Sequence, residues 1–345
     1  MVVALPWEVA PTLAVGARSS ALGAGRLAWL GSFAHPDEAL AGLAAAAGVA
    51  PELAAVDLRP GDPAHLWAAR AGLPVRAVAR HHALVAATMA AHGLGPDEQV
   101  IGFAFDGGGY GPDGATWGGE VLVAGYKGFR RVAHLGYVRC VGTDRPHRIA
   151  LAHLRHAGLP WDLDLAPVRA CSTRERRILA GQLDSGFGCA TTTSVGLLLT
   201  TIAALHGRVT APPGAGHDVR GPVAAVPGAI AGLHGLAGGR AAGGEPYPMR
   251  GLDPGALVRA VVADVRAGVP AQAIDARVRA TLVALVADQA RRCARETGLD
   301  VVVLAGDVFD DPALTVEAQG NLPDLTVLAG RPPMALGRLL CAAAG

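Results

Sequence analysis

The 345-residue chain is poor in several residue types, and each shortage removes a class of protein. Its five cysteines are odd in number and never spaced as Cys-x-x-Cys, unlike disulfide frameworks and zinc modules. Lys127 is the only lysine, and 30 basic residues against 29 acidic ones give a formal charge of +1. With no basic cluster interleaved with aromatic residues, we predict neither a nucleic-acid partner nor a membrane partner.

Long apolar runs are also missing. The longest uncharged stretch, 187–205, contains a threonine and serine cluster and two glycines, which is typical of a buried turn and helix rather than a membrane span. The first residues lack a basic leader followed by an apolar core, so no signal peptide is predicted. We therefore expect a protein of the reducing cytoplasm.

Strand-like and helix-like segments alternate along the chain, which predicts an α/β fold, and the length favours two lobes. Strands are predicted at 12–15, 27–30 and 301–304, with a strand-rich block at 100–138. Helices are predicted at 38–47, 63–71, 82–92, 146–156, 195–205, 258–267, 271–297 and 334–343. The segment 211–248 is crowded with Gly, Pro and Ala, and it is either an ordered loop over a cleft or a mobile insertion.

The most informative segment is residues 106–120, DGGGYGPDGATWGGE. It follows an apolar run, 100–105, that predicts a buried strand ending where the glycines begin. Glycines allow positive φ and leave backbone N–H donors free to face an anion. An aspartate beside them, Asp106, can hold a metal or polarise a water. The alternative interpretation is a β-hairpin with a glycine-rich turn.

Other motifs in the chain carry less weight. Residues 109–114 fit Gly-x-Gly-x-x-Gly, but extended chain rather than a helix follows, so a dinucleotide site is rejected. Ser194 is not in a Gly-x-Ser-x-Gly elbow, so a serine hydrolase is not predicted.

We expect Glu120 to hydrogen-bond the glycine loop and Trp117 to pack under it. Four histidines could suggest a metal cluster but are interpreted as surface or core residues, namely His134, His147, His153 and His156.

The order of residues in 106–120 closely resembles the Asp-Gly-(Thr/Gly)-Gly-Tyr-Gly-x-Asp-Gly-x-x-Trp-Gly-Gly-Glu signature of HypF-type carbamoyltransferases. The match lies in their C-terminal carbamoyl-transfer domain, which is similar to the TsaD enzymes of tRNA threonylcarbamoylation. Further segments in the expected order are 13–17, 56–60, 80–87, 131–135, 193–196 and 301–309. The resemblance implies two ribonuclease-H-like lobes of the actin and sugar-kinase type around a cleft. The first lobe would be 1–95 with the closing helix 334–343, and the second 96–333 with the insertion 211–248.

The resemblance also implies a ligand, carbamoyl-adenylate or ATP, bound between the lobes. The residues implied to bind it are Asp106, Gly107, Gly108, Gly109, Gly111, Gly118, Gly119, Glu120, Gly196 and Gly306. Asp106 is also the one remaining candidate metal ligand.

The sequence departs from the family pattern mainly at the residues that bind the family's metal ion. The family holds it with two histidines four residues apart, on one helical face, and with aspartates. The histidine positions here are Arg80 and Leu84, and the closing aspartate is missing from 331–336. Arginine repels a cation and leucine offers no lone pair, whereas His81 and His82 point in different directions. In segment 305–311, which matches a nucleotide-binding motif of the family, Asp307 stands where the family has a glycine.

Two hypotheses follow from the resemblance. In the first, the chain is a HypF-like carbamoyltransferase of nickel–iron hydrogenase maturation, which passes the carbamoyl group from carbamoyl-adenylate to a cysteine of HypE, although the altered metal site indicates that this activity is degenerate. In the second, it is a non-catalytic subunit that pairs with an active paralogue such as a full-length HypF, as TsaB pairs with TsaD. Homodimers and heterodimers are both compatible with the sequence. A small-molecule kinase on the same fold would need an acidic base that cannot be assigned.

Overall fold

A computed structural model describes residues 1–16, 19–142, 145–208, 244–249 and 251–345. Most of the predicted insertion, 211–243, lies outside these residues, so the prediction for it is not tested. Strands and helices are interspersed along the described chain, and the strands form two sheets. The predicted α/β class is confirmed.

In the described residues the first sheet has four strands in the spatial order β2-β1-β3-β4. They are β1 (Val2–Ala14), β2 (Ser20–Gly31), β3 (Leu53–Asp57) and β4 (Val75–Val78). The pair β1–β2 is antiparallel, whereas β3 and β4 extend the sheet in parallel. Parallel neighbours need crossovers. The crossovers contain α1 (Pro36–Ala47) and α2 (Pro63–Arg70), each with a proline in its first turn.

The second sheet follows the order β11-β10-β5-β6-β9-β8, with β7 paired to β6, in the described part of the chain. Its strands are β5 (Val100–Tyr110), β6 (Thr116–Gly125), β7 (Gly128–His134), β8 (Val138–Cys140), β9 (Ala190–Thr192), β10 (Val301–Ala305) and β11 (Thr326–Ala329). At its centre, β5 pairs in parallel with β10 and antiparallel with β6. Residues 100–105 of β5 are all buried, as expected for a strand whose two faces are covered by helices, and this explains the continuous apolar run.

Nine further helices complete the described chain. They are α3 (Arg80–Ala91), α4 (Pro146–His156), α5 (Ala166–Ala170), α6 (Thr173–Ser185), α7 (Val195–Leu205), α8 (Pro254–Arg266), α9 (Ala271–Thr297), α10 (Pro312–Gly320) and α11 (Met334–Ala344). All eleven residues of α7 are buried, as expected for a helix that is apolar on every side. None of the described helices is long and apolar enough to cross a membrane.

Helices α3 and α11 join the two sheets. Helix α3 packs on β5 and β10, and α11 packs on α3, β1 and β2. The apolar core around this pair contains residues from both sheets, including Ala14 of β1 and Ala104 of β5. The two sheets therefore meet through one helix pair, whose first residues, Arg80 and Met334, line a cavity.

Most predicted elements lie where the sequence placed them. Helices α4, α7 and α9 have the predicted bounds, and the two N-terminal strands are longer than predicted. Helices α6 and α10 were not predicted. The rejection of a dinucleotide fingerprint is supported because β6 begins at Thr116, directly after residues 109–114.

Candidate functional site

The glycine-rich segment is a β-hairpin. The prediction that the strand ends at the first glycine was wrong, because β5 continues to Tyr110 and pairs with β6 through Gly109 and Trp117. A shift in register between Phe105 and Gly109 marks a bulge. Glycine accommodates it because Gly108 adopts φ of 131°, which L side chains rarely take. The hairpin alternative describes this segment better.

Six of the predicted glycines lie where a side chain would not fit, four of them against backbone atoms. A Cβ on Gly196, in the first turn of α7, would lie 2.7 Å from the Cα of Gly107. A Cβ on Gly306 would overlap the carbonyl oxygen of Phe105. A Cβ would also meet backbone carbonyl oxygens at Gly118 (of Asp106) and Gly119 (of Thr193), and side chains at Gly109 (of Arg80) and Gly111 (of Trp117). These glycines allow the hairpin, α7 and the turn after β10 to pack together, and their role in binding a ligand stays a prediction.

Asp106 lies in the middle of this packing, with its side chain fully buried. Its Oδ1 accepts hydrogen bonds from the Gly108 nitrogen at 2.9 Å and lies 3.3 Å from His81 Nε2. Its Oδ2 accepts from Arg80 Nε at 2.7 Å. The Ser194 hydroxyl, which caps α7, donates to the Asp106 carbonyl at 2.8 Å. Both carboxylate oxygens are therefore occupied by contacts within the protein.

The charge of Asp106 is stabilised by these neighbours. Burial alone would raise the pKa of this carboxyl, but the charges of His81 and Arg80 and their hydrogen bonds hold it well below its usual range. Burial alone would lower the pKa of Arg80, whereas the charge of Asp106 raises it. Both groups are thus ionised at neutral pH, and they form a salt bridge.

Glu120 forms hydrogen bonds with the glycines of β6, the second strand of the hairpin, as predicted. Its Oε1 accepts from the backbone nitrogens of Gly118 and Gly119, at 3.1 and 3.3 Å, and from the Thr193 hydroxyl. Its Oε2 accepts from Arg131, whose guanidinium lies 4.1 Å from the centre of the Trp117 ring. The buried carboxylate therefore fixes the two glycines beside Asp106.

A cavity of about 240 Å³ lies at the junction of the sheets. Its wall contains Arg80 and Leu84 of α3, Gly306 and Asp307 after β10, and Met334 of α11, and it is completed by Gly16, Ser19, Thr88, Asp310, Gly330, Arg331 and Pro332. Of the predicted ligand-binding glycines, Gly306 lies on this wall. Arg80 separates the cavity from the buried Asp106.

The residues of this site do not fit the family's metal. At the two positions where the motif resemblance places the family's histidines, α3 carries Arg80 and Leu84, one turn apart. The Arg80 guanidinium contacts Asp106, and its Nη1 lies 3.5 Å from Met334 Sδ at the start of the closing helix. A guanidinium thus occupies the side of Asp106 that would face an ion, and leucine supplies no donor. No chemical step is assigned here to a metal.

His81 and His82 diverge, as the sequence predicted. His81 contacts Asp106, whereas His82 Nε2 lies 2.6 Å from the Gly125 carbonyl oxygen. Nor do the other four histidines form one group. Each has its own neighbour, with His134 beside Tyr137, His147 on Glu175, His153 on the Ile149 carbonyl and His156 on Asp253.

One buried ion pair was missed by the sequence reasoning. Arg338 of α11 is 3% exposed and donates to Asp57 Oδ2 at 2.7 Å and to the Val15 carbonyl at 2.6 Å. A single arginine inside the apolar closing helix was the available signal, because a buried charge requires a partner. The pair attaches the closing helix to β3, and the bond to Val15 attaches it to the residue that follows β1.

Two sheets, joined by a helix pair and enclosing a cavity, form a two-lobed, ribonuclease-H-like α/β protein. Two family models match the chain, the HypF Kae1-like domain at residues 21–91 and the second subdomain of the carbamoyltransferase Kae1-like domain at residues 102–331. The chain belongs to the HypF carbamoyltransferase family.

Curated relatives and solved structures agree with this assignment. Carbamoyltransferase HypF of Rhodobacter capsulatus is 32% identical over 315 residues, which cover 85% of this chain and 40% of the relative. HypF of a Synechocystis strain is 41% identical over 122 residues, 34% of this chain and 16% of the relative. The structure is similar to full-length HypF solved in a phosphate- and nucleotide-bound form, with a TM-score of 0.84, 27% identity and coverage of 99% of this chain and 57% of that one. The chain therefore spans about half, or less, of the relatives that it matches.

Proposed function

We propose that this chain is a HypF-type carbamoyl-transfer domain that has lost metal-dependent transfer and acts as a binding partner in nickel–iron hydrogenase maturation. Its partner would be a full-length HypF or the carbamoyl acceptor HypE. Family membership supports the pathway, and the altered site supports the loss of chemistry.

The observation that carries this proposal is the contact between Arg80 and Asp106. The arginine Nε lies 2.7 Å from an aspartate oxygen that is fully buried, at the position where the family's metal would be held. Removing the arginine would leave a buried charge without its partner, so the pair is not readily opened to admit an ion.

The residues that line the cavity support weak binding of a nucleotide ligand. A similar HypF structure contains phosphate and nucleotide, and Gly306 lies on the cavity wall here. Asp307 lies on the same wall, and its carboxylate opposes a phosphate, whereas Asp310 there is paired with Arg331 at 2.6 Å. The cavity of about 240 Å³ is smaller than the roughly 300–1,000 Å³ of typical small-molecule sites. We propose that carbamoyl-adenylate or ATP binds weakly, without a metal.

The test is carbamoylation of the terminal cysteine of HypE, measured by intact mass. The reaction contains HypE and a full-length HypF whose own carbamoyl-transfer domain is inactivated, so that the intermediate is made but not transferred. Adding this chain is expected to produce no carbamoylated HypE, and the chain should co-elute with HypF or HypE in size-exclusion chromatography. A carbamoylated product that depends on this chain would overturn the loss of catalysis, and failure to co-elute with either protein would overturn the partner role.

A second candidate function is metal-independent carbamoyl transfer. It is favoured by the positive charge that Arg80 keeps on the cavity wall, where a guanidinium can stabilise an anionic oxygen. In that case the same reaction would yield carbamoylated HypE in the presence of a chelator, and the product would be lost with Arg80→Met.

A further inference from the structure

The first turns of two helices meet at a second cavity, which has a volume of about 250 Å³. Helix α4 contributes Arg145, its N-cap residue, and Arg148. Helix α6 contributes Ser172, its N-cap residue, together with Arg174 and Glu175. The wall is completed by Ile178, Leu179 and Gln182. None of the described residues lines both this arginine cavity and the cavity between the sheets, so the arginine cavity is a separate candidate site.

The lining of the arginine cavity carries more positive than negative charge. Two arginines approach the same oxygen of Glu175, with Nε of Arg148 at 2.6 Å and Nη1 of Arg145 at 3.9 Å from Oε1. The guanidinium of Arg174 is exposed and has no hydrogen bond or ion pair with any described residue. Among the lining residues, three arginines against one glutamate leave a formal charge of +2.

The titratable groups beside the cavity do not remove this excess. Burial alone would raise the pKa of Glu175, but its hydrogen bonds with Arg148 and His147 lower it, so this carboxylate is ionised and already paired. Burial and the neighbouring Glu175 raise the pKa of the Cys171 thiol to about 11. The thiol is therefore neutral at pH 7 and adds no negative charge. The lining suits an anion and opposes a cation.

The arginines stand where the helices themselves disfavour them. The N-terminus of a helix carries a partial positive charge, so acidic residues stabilise the first turn and basic residues oppose it. Helix α4 has Arg145 at its N-cap and Arg148 in its first turn, with no acidic residue there. Helix α6 has Arg174 in its first turn, next to Glu175. Two helix N-termini and three guanidinium groups thus meet at one cavity, an arrangement that a bound anion would stabilise.

We propose that the arginine cavity binds a small organic anion through a phosphate or carboxylate group. Arg148 and Arg174 would donate charge-assisted hydrogen bonds to its oxygens, as guanidinium groups do with both kinds of anion. The first backbone N–H groups of α6 have no partner within the helix and can add to these bonds. Ile178 and Leu179 offer an apolar side to the rest of the ligand. The volume is below the roughly 300–1,000 Å³ of typical sites, which limits the ligand to a small molecule.

The proposal can be tested by calorimetric titration of the full chain with pyrophosphate and, separately, with citrate, at constant ionic strength. We expect saturable binding of at least one of the two anions. Pyrophosphate alone would assign a phosphate ligand, and citrate alone a carboxylate ligand. Arg174→Gln should weaken binding at least about fivefold, because the interaction of two unit charges 4 Å apart in water is worth about that factor. Glu175→Gln removes the negative charge of the lining and should tighten binding, whereas a cation site would respond in the opposite direction.

Arg177→Gln is the matched control. Arg177 is exposed on the same helix, its guanidinium has no partner among the described residues, and it does not line the cavity. This variant should keep the affinity within about twofold, because exposed charges outside the site are screened by salt. In the full chain, the anion should also protect Arg174, but not Arg177, from modification by phenylglyoxal, as measured by peptide mass.

The side chain of Arg174 has no contact that folding requires, so Arg174→Gln should have the circular dichroism of the parent chain. A difference in affinity between the two arginine variants therefore reports on the cavity, and it does not depend on the site between the sheets. The proposal is overturned if neither anion binds the full chain, or if Arg174→Gln and Arg177→Gln bind equally well.

Discussion

Replacing Arg80 by methionine is expected to destabilise the protein by about 3–5 kcal/mol, the usual cost of removing one partner of a buried ion pair. The aspartate that remains is fully buried, while methionine keeps most of the side-chain volume. His81 still contacts the carboxylate at 3.3 Å, which favours the lower end of this range. Urea unfolding followed by circular dichroism measures the change.

The matched variants test whether the loss comes from the charge. Arg80→Met combined with Asp106→Asn should recover much of the stability, because the buried charge is removed with its partner. Arg292→Met breaks an exposed pair with Glu296 and should change stability by no more than about 0.5 kcal/mol. Equal losses in the single and double variants would show that the ion pair is not the cause.

The same pair predicts how stability depends on pH. The pKa of Asp106 is lowered in the folded protein, whereas an aspartate in the unfolded chain has a pKa of about 3.9. The stability from this group is therefore fully present above about pH 4 and is lost as pH falls through the folded value. In Asp106→Asn this part of the acid sensitivity should disappear.

The second large effect is expected for Gly337→Ala, between the two helices that join the sheets. A Cβ at Gly337 would overlap the Ala83 carbonyl oxygen and lie 2.5 Å from the Ala87 nitrogen. Both atoms belong to the backbone of α3, so the added methyl group cannot be accommodated by a side-chain rotation. We expect a loss of at least about 1–3 kcal/mol, the usual cost of overpacking a core. The midpoint of thermal unfolding measures it.

A second glycine within a helix provides the control. Gly181 lies inside α6, and a Cβ there would meet no atom within 4 Å among the described residues. Gly181→Ala should therefore raise stability by about 0.5–1 kcal/mol, because alanine favours helices. If both substitutions change stability alike, the close contact between α3 and α11 is not what requires glycine at 337.

The fold was largely predictable because its elements carry strong local signals. Helix α7 is apolar throughout, α9 has a long apolar stripe, and the central strands are continuous apolar runs. Helix α6 was missed because its exposed face is rich in arginine and only Leu179 and Leu183 are buried. The path of β5 was mispredicted because glycines usually mark turns, and the bulge depends on pairing with β6.

The site was predictable only in part. The motif located Asp106 and Glu120, and the altered positions pointed to Arg80 and Leu84. That the Arg80 guanidinium contacts Asp106 depends on the packing of α3 against β5, which no local pattern reveals.

Metal content per chain tests whether Arg80 has taken the place of the family's metal. Elemental analysis of protein loaded with Fe²⁺ or Zn²⁺ should give the same value for the full chain and for Asp106→Asn, because Asp106 is already paired. Arg80→His combined with Leu84→His places two imidazoles on one face of α3, and it should add one equivalent that Asp106→Asn removes again. An equivalent that the unaltered chain holds, and that Asp106→Asn abolishes, would contradict the account.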